Sequence, residues 1–241
     1  MWETLALGMR SLMFSSNVAL GEEEKEISSG VIWGTALAAL ALVAALFFAG
    51  PMLLSHWLDD ILKSDLVVVT IEGLIRLTLL VGYVGLIGLL PDVRRVYAYH
   101  GAEHKSIHAL EHGDPLEPKW VQRYPTAHVR CGTSFLLTVV VVSVVVFAAL
   151  GTPELWLRVV SRIALIPVIA AIAYELIRLA GAFESSPVVR VLMWPNLALQ
   201  ALTTRQPDDS QVEVALRALQ EVLAAEGVEP AQRPSPQPAE G

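Results

Sequence analysis

Charge is scarce in this sequence. Only 17% of its 241 residues are Asp, Glu, Lys or Arg, whereas 54% are hydrophobic and the mean hydropathy is +0.53. A soluble domain of this length needs more polar surface than that, which excludes an ordinary aqueous globule. Basic charge is scarcer still. The net charge of −7 argues against nucleic acid as a partner, because phosphate binding needs a basic face. Cysteine is nearly absent: Cys131 stands alone, so no internal disulfide framework exists. A lone thiol fits a reducing compartment or a metal ligand. Residues 1–20 lack the continuous apolar core of a secretory signal, since Glu3, Arg10 and serines interrupt Trp2, Leu5, Leu7, Met9, Leu12, Met13 and Phe14. They read as an amphipathic helix, lying on a membrane surface or on the protein itself.

The apolar residues fall in blocks, and the sequence predicts an all-α polytopic membrane protein with four transmembrane helices plus amphipathic and cytoplasmic helices. After the acidic break at 21–29, residues 31–54 carry no charge and would span about 36 Å as a helix. Residues 66–90 form a second span that carries Glu72 and Arg76, an i,i+4 pair on one face. Charges in hydrocarbon cost at least about 2.5 kcal/mol, so this pair should face protein or water. Residues 134–151 form a valine-rich third span, helical because lipid offers an open strand no partners. Residues 155–183 form a fourth, with a kink expected at Pro167. Beyond it, 187–204 read as interfacial and 208–225 as an amphipathic helix, capped by Asp208, Asp209 or Ser210 and ended by Gly227. The resulting divisions are an N-terminal segment (1–30), a membrane domain (31–206) with an inserted connection (91–133), an amphipathic helix (207–227) and a disordered tail (228–241).

Lysine and arginine set the orientation. The 55–65 loop has only Lys63 and the 152–154 turn has none, whereas the 91–133 connection has Arg94, Arg95, Lys105, Lys119, Arg123 and Arg130. Arg190, Arg205, Arg217 and Arg233 follow the fourth span. The expectation is a multi-pass protein of the plasma membrane with this connection and both termini in the cytoplasm.

Five of the six histidines lie between residues 100 and 128. Residues 92–112 read as a helix, with Gly113 as its stop and Pro115 just beyond. His100, His104 and His108 then share one slowly drifting face. His100, Glu103 and His104 form H-x-x-E-H, the inverted zincin pattern. In that pattern two imidazoles hold a zinc-like ion and the glutamate serves as general base. His128 and Cys131, just before the third span, offer a further nitrogen and a thiolate. Arg130 beside them could lower the thiol pKa. One cluster follows the second span and the other precedes the third, so neighbouring spans would bring them together. Tyr174, Glu175 and Arg178, near the same end of the fourth span, could support this site or lock helices together. A polar helix surface with a small buried cysteine is the competing interpretation.

The stretches YHGAEHKSIHALEHG, HVRCGTSFLL, AYELIRLAG and TTRQPDDSQVEVAL, with LALGMRSLMFSSNVAL near the start, resemble the bacterial YqhQ-like family. That family is a domain of unknown function, described as a predicted metal-dependent membrane protein. The resemblance covers about residues 4 to 223, and the matching positions are His100, Glu103, His104, Glu111, His128, Arg130, Cys131, Gly132, Thr133, Tyr174, Glu175 and Arg178. It implies a divalent metal, zinc by preference, but no substrate. Family members begin with a Gly-rich segment containing a Glu-Gly-Val-Met-Met-Arg-like stretch that this chain lacks.

Two functions compete. One is a metal-dependent hydrolase at the cytoplasmic bilayer surface, acting on a lipid-linked or peptide substrate. His100, His104, His128 and Cys131 would be its ligands and Glu103 its base. The other is a non-enzymatic assembly or scaffold factor whose histidines and cysteine staple two spans together. Metal transport is disfavoured on the ground that only Glu72, Arg76, Glu175 and Arg178 could line a path. Oligomeric state is not legible.

Overall fold

A computed structural model describes residues 2–20, 29–62, 64–129, 131–183 and 186–228. Every regular element among them is helical. The acidic break at 21–28, Lys63, Arg130 and the tail from 229 onward lie outside the described residues. The chain forms two compact units, residues 1–53 and 54–241.

In the first unit, α1 (Trp2–Leu20) precedes α2 (Ser29–Ala44), which continues through a π-helical turn, Ala45–Ala49, into α3 (Gly50–Leu62). Gly30–Leu58 is 29 residues of nearly unbroken apolar helix, long enough to cross a bilayer.

The second unit is built on α4 (Asp65–Ile87), α5 (Pro91–His112), a short α6 (Pro118–Val121), α7 (Gly132–Leu150), α8 (Leu155–Ala164), α9 (Ile166–Ala182), α10 (Pro187–Thr203) and α11 (Asp209–Glu226). Helices α4 and α7 are each long and apolar enough to cross a membrane, and α8 with α9 pass the same test together across a 45° bend. Among the described residues three helices are thus long and apolar enough to span, or four if the bent pair is one span. The kink expected at Pro167 is a break at Leu165, with the proline in the first turn of α9, where its missing N–H costs nothing.

Val69, Val142, Phe147, Ile169 and Ala173 form the core between α4, α7 and α9. Gly73 permits the close approach of α4 to α7: a Cβ there would lie 2.2 Å from Cγ2 of Val144. Leu66, Leu74, Leu86, Val141, Val145, Ile172 and Leu179 are exposed on the outside, as lipid-facing side chains are.

The inside of this bundle is not purely apolar. Arg76 donates to Glu72 at 2.9 Å, and Arg162 of α8 donates to both oxygens of the same carboxylate at 3.2 and 3.0 Å. Arg76 also donates to the Ser143 hydroxyl at 3.2 Å, and the Arg162 guanidinium lies 4.0 Å from the Phe147 ring centre. Arg158, one turn before Arg162, is 1% exposed. The Glu72–Arg76 pairing agrees with the sequence expectation. The charge inventory does not: Arg158 and Arg162 belong to the fourth span, so the argument against transport omitted two of its ionisable residues.

At the other end of the unit, α5 leaves α4 after the turn at 88–90 and ends at Gly113, whose φ of 69° is the left-handed stop expected there. Ala102, Ala109, Val121, Val212 and Leu216 bury α5 against α6 and α11. Helix α11 starts with a capping box: the Asp208 carboxylate accepts from the Gln211 N–H while the Gln211 side chain accepts from the Asp208 N–H. Helix α10, over the stretch read as interfacial, packs against α7 and α4 and buries Met193, Asn196, Leu199, Gln200 and Thr203.

Candidate metal centre

Three features of the local fold set the site's shape. Helical spacing puts His100, His104 and His108 on one side of α5. The segment after α6 is drawn onto that side by Lys105. Its buried ammonium donates to the carbonyls of Gln122 and Tyr124 at 2.9 and 2.6 Å, and burial lowers its pKa. Finally, Cys131 is the N-cap of α7, its sulfur accepting from the Thr133 N–H at 3.4 Å. The positive end of the helix therefore meets the thiol.

These features converge three donors. The Cys131 Sγ lies 3.2 Å from Nε2 of His100, and the ligand atoms of His100, His104 and Cys131 are all within 4.8 Å of one another. Each imidazole has its outer nitrogen committed. His100 Nδ1 donates to the Thr203 carbonyl at 2.9 Å, and His104 Nδ1 donates to the Thr126 carbonyl at 2.6 Å. That leaves both Nε2 lone pairs facing inward, the arrangement by which metal-bound histidines are oriented. Burial alone would raise the Cys131 thiol. Hydrogen bonds with His100, His104 and Thr133 outweigh it and bring the thiol down to about 5. The same bond to Cys131 raises the His100 imidazole, against the effect of burial. A tetrahedral zinc site with Zn–N of about 2.0 Å and Zn–S of about 2.3 Å needs ligand atoms about 3.5 Å apart; His100 and Cys131 meet that at 3.2 Å, the His104 ligand atom lies within 4.8 Å of both, and the donor chemistry suits zinc.

His128 does not join this trio. It is 5% exposed and its backbone is clamped by Gln200 of α10. The His128 N–H donates to Gln200 Oε1 at 2.8 Å, and Gln200 Nε2 donates to the His128 carbonyl at 2.7 Å. The His128 side chain turns to Glu111, 3.0 Å from Nε2 to Oε2. His108 joins them, stacked on Tyr124, with its own pKa lowered by burial. The His104 and His128 rings lie 5.8 Å apart, so the two groups adjoin.

The remaining residues expected at the site lie elsewhere. Glu103 is on the exposed side of α5, where its charge helps raise His100. It is not among the converging donors of the described residues. Arg130 is outside those residues. Tyr174, Glu175 and Arg178 are exposed on α9, with Glu175 and Arg178 paired at 3.4 Å. Glu175 and Arg178 line a shallow groove with Ala171, Ile172, Leu176, Leu179 and Ala182, and none of the three joins the converging donors of the described residues. Nothing marked the Thr126 carbonyl in advance, nor two contributors from α10, Gln200 and the Thr203 carbonyl. Their only sequence signal is a glutamine and a threonine in the last turns of a helix that resembles an interfacial segment.

Residues 1–225 match the family described as Protein of unknown function (DUF1385). A relative from Bacillus subtilis (strain 168), named "Uncharacterized protein YqhQ", is 37% identical over 248 residues, covering 97% of this chain and 78% of the relative. No solved structure matches the chain.

Proposed function

The chain belongs to that family of unknown function, and from the geometry above we propose that it is an integral membrane enzyme that holds a divalent cation, zinc by donor chemistry, between His100, His104 and Cys131. The observation that carries this reading is the pair of imidazoles whose outer nitrogens are fixed on backbone carbonyls while their inner nitrogens face a thiol lowered to about 5. Bound there, the cation would supply Lewis-acid polarisation of a carbonyl or phosphoryl oxygen and an activated water. The chain's own residues do the rest. Thr203 and Thr126 orient the imidazoles, Thr133 and the α7 N-terminus hold the sulfur as thiolate, and Glu103 offers a carboxylate at the exposed rim to take up a proton. The substrate class that fits is a lipid-linked or peptide bond at the bilayer surface. In the bacterial inner membrane, the lysine and arginine distribution places this rim and both termini in the cytoplasm.

One observation favours the alternative scaffold reading. His104 and Cys131 are each 5% exposed, and structural zinc sites are closed. The experiment is elemental analysis of full-length protein purified in detergent, alongside His100→Ala and His104→Ala. Stoichiometric metal in the wild type, and one equivalent fewer in each variant, is expected. Wild-type protein free of metal and indifferent to chelators would overturn the metal reading. Glu103→Gln protein that binds metal normally separates the two roles: a lost hydrolytic activity supports the enzyme, an undisturbed membrane-assembly phenotype the scaffold.

A further inference from the structure

The residues that the first centre leaves out form a group of their own. His108, Glu111 and His128 present ligand atoms all within 4.8 Å of one another. The sequence H-x-x-E-H occurs twice on α5, at 100–104 and again at 108–112. The second copy is not used like the first, because His112 Nδ1 donates to the His108 carbonyl at 2.8 Å. His128, brought in from the loop before α7, takes the place beside His108 instead, with ring centres 4.6 Å apart.

One imidazole of this group has the outer anchoring seen in the first. His108 Nε2 donates to the Ala127 carbonyl at 2.9 Å, which fixes the tautomer and leaves Nδ1 as the donor. Gln200, fully buried, holds both backbone polar groups of His128, so that imidazole is placed by a dedicated clamp. A simple His–Glu pair requires neither the clamp nor a second imidazole against it. The donor sets also differ in kind. The first is two imidazoles and a thiolate, which suits a soft or borderline ion; the second is two imidazoles and a carboxylate, the three-ligand set that leaves coordination positions open. Its carboxylate is the accessible member, since the Glu111 side chain is 29% exposed and that of His128 only 6%.

From this we infer that His108, Glu111 and His128 form a second divalent-cation site adjoining the His100–His104–Cys131 centre, so that the protein holds two ions in unlike donor sets. The inference extends the metal reading above, but its ligands are separate. The second site is the one open to solvent and hence to a substrate oxygen, while the thiolate site is the more enclosed. Adjacent cations of this kind can clamp the two oxygens exchanged in a hydrolytic displacement.

The test uses full-length protein in detergent, stripped with chelator and titrated with Co2+, then analysed for bound metal after dialysis. Wild type should bind two ions per chain. Only one of them should give the near-ultraviolet charge-transfer band of a thiolate ligand. Glu111→Gln and His108→Ala should each lower the ratio from two to one and keep that band. Cys131→Ser should keep one ion and lose the band. A wild-type ratio of one, with the band and indifferent to Glu111→Gln, would overturn the second site and leave the first standing. A ratio of one without the band, lost in Glu111→Gln, would uphold the second site and overturn the first. One ion lost in both Glu111→Gln and Cys131→Ser would mean a single shared site and overturn the division. Because the wild-type titration alone distinguishes one ion from two, poor folding of a variant does not leave the matter undecided.

Discussion

Glu72 and Arg162 meet across 90 residues of sequence, the guanidinium binding both carboxylate oxygens at 3.2 and 3.0 Å with each side chain at most 4% exposed. Arg76 shares the carboxylate, and Ser143 of α7 accepts from Arg76. One acid therefore joins α4 to α8. The hydroxyl that completes the cluster lies 11 residues into α7 after Gly132, about 16 Å along the helix from the histidine centre. Removing one partner of a buried pair leaves an uncompensated charge, at a cost of about 3–5 kcal/mol. Glu72→Ala should therefore lower the unfolding midpoint in detergent markedly. The triple variant Glu72→Leu, Arg76→Leu, Arg162→Met should recover part of that loss, since apolar replacement of the acid and of both guanidiniums it holds leaves none of the three charges behind. A triple variant less stable than Glu72→Ala alone would contradict this account.

Gly101 is required by backbone contact. A Cβ there would lie 2.2 Å from the Arg205 carbonyl oxygen, and the Arg205 N–H already donates to the Tyr97 carbonyl at 2.9 Å. Gly101→Ala should displace the chain at 203–205, and with it the Thr203 carbonyl that orients His100. The expected result is a destabilisation of about 1–3 kcal/mol from overpacking and a metal affinity weakened about 10–100-fold, as for loss of an outer-shell partner. Competition with a chromophoric chelator reads the second effect independently of the first. Unchanged affinity would show that Thr203 does not orient the ligand.

The Cys131 thiol should titrate far below an ordinary thiol. Its pKa is held at about 5, against an ordinary 9.0, with burial opposing the shift and the bonds to His100, His104 and Thr133 producing it. The depressed value means that thiolate persists as pH falls and is lost only through about pH 5. Because the folded value lies below the unfolded one, its contribution to stability is complete above about 9 and declines toward 5. In chelator-treated protein the alkylation rate should rise with a midpoint near 5, its ceiling set by burial. His100→Ala should shift that midpoint upward, since it removes the first of the bonds that lower it. A wild-type midpoint near 9 would refute the thiolate assignment.

Much of this architecture is legible locally. Apolar runs give the spans, Gly113 and Gly227 mark helix ends, and the polar residues 208–210 mark the start of α11. The meeting of Cys131 with His100 is only half legible: chain order places them after one span and before the next, but whether they converge depends on those spans being neighbours. What escapes the sequence depends on distant partners. His128 is spaced like a ligand beside Cys131, yet the Gln200 clamp and Glu111 direct its ring to a different group. Arg158 and Arg162 resemble membrane-boundary charges until the carboxylate 90 residues earlier accounts for Arg162. Glu175 and Arg178 share the helical end of the site but point outward, a matter of rotation about α9 that no spacing rule fixes.

Orientation gives the last prediction. Positive-inside counting predicts that the 152–154 turn is outside and the α5 rim in the cytoplasm. Arg158 and Arg162 begin only a few residues after that turn and would weaken the bias if they were solvated loop charges. They are not: each is at most 3% exposed, and Arg162 is neutralised by Glu72, so the count stands without them. Glu154→Cys in a Cys131→Ser background should react with a membrane-impermeant thiol reagent added to intact cells. A cysteine at Arg217, on α11, should react only after the membrane is opened. The reverse pattern would invert the protein and place the histidine centre on the outer surface, where a substrate would have to be extracytoplasmic.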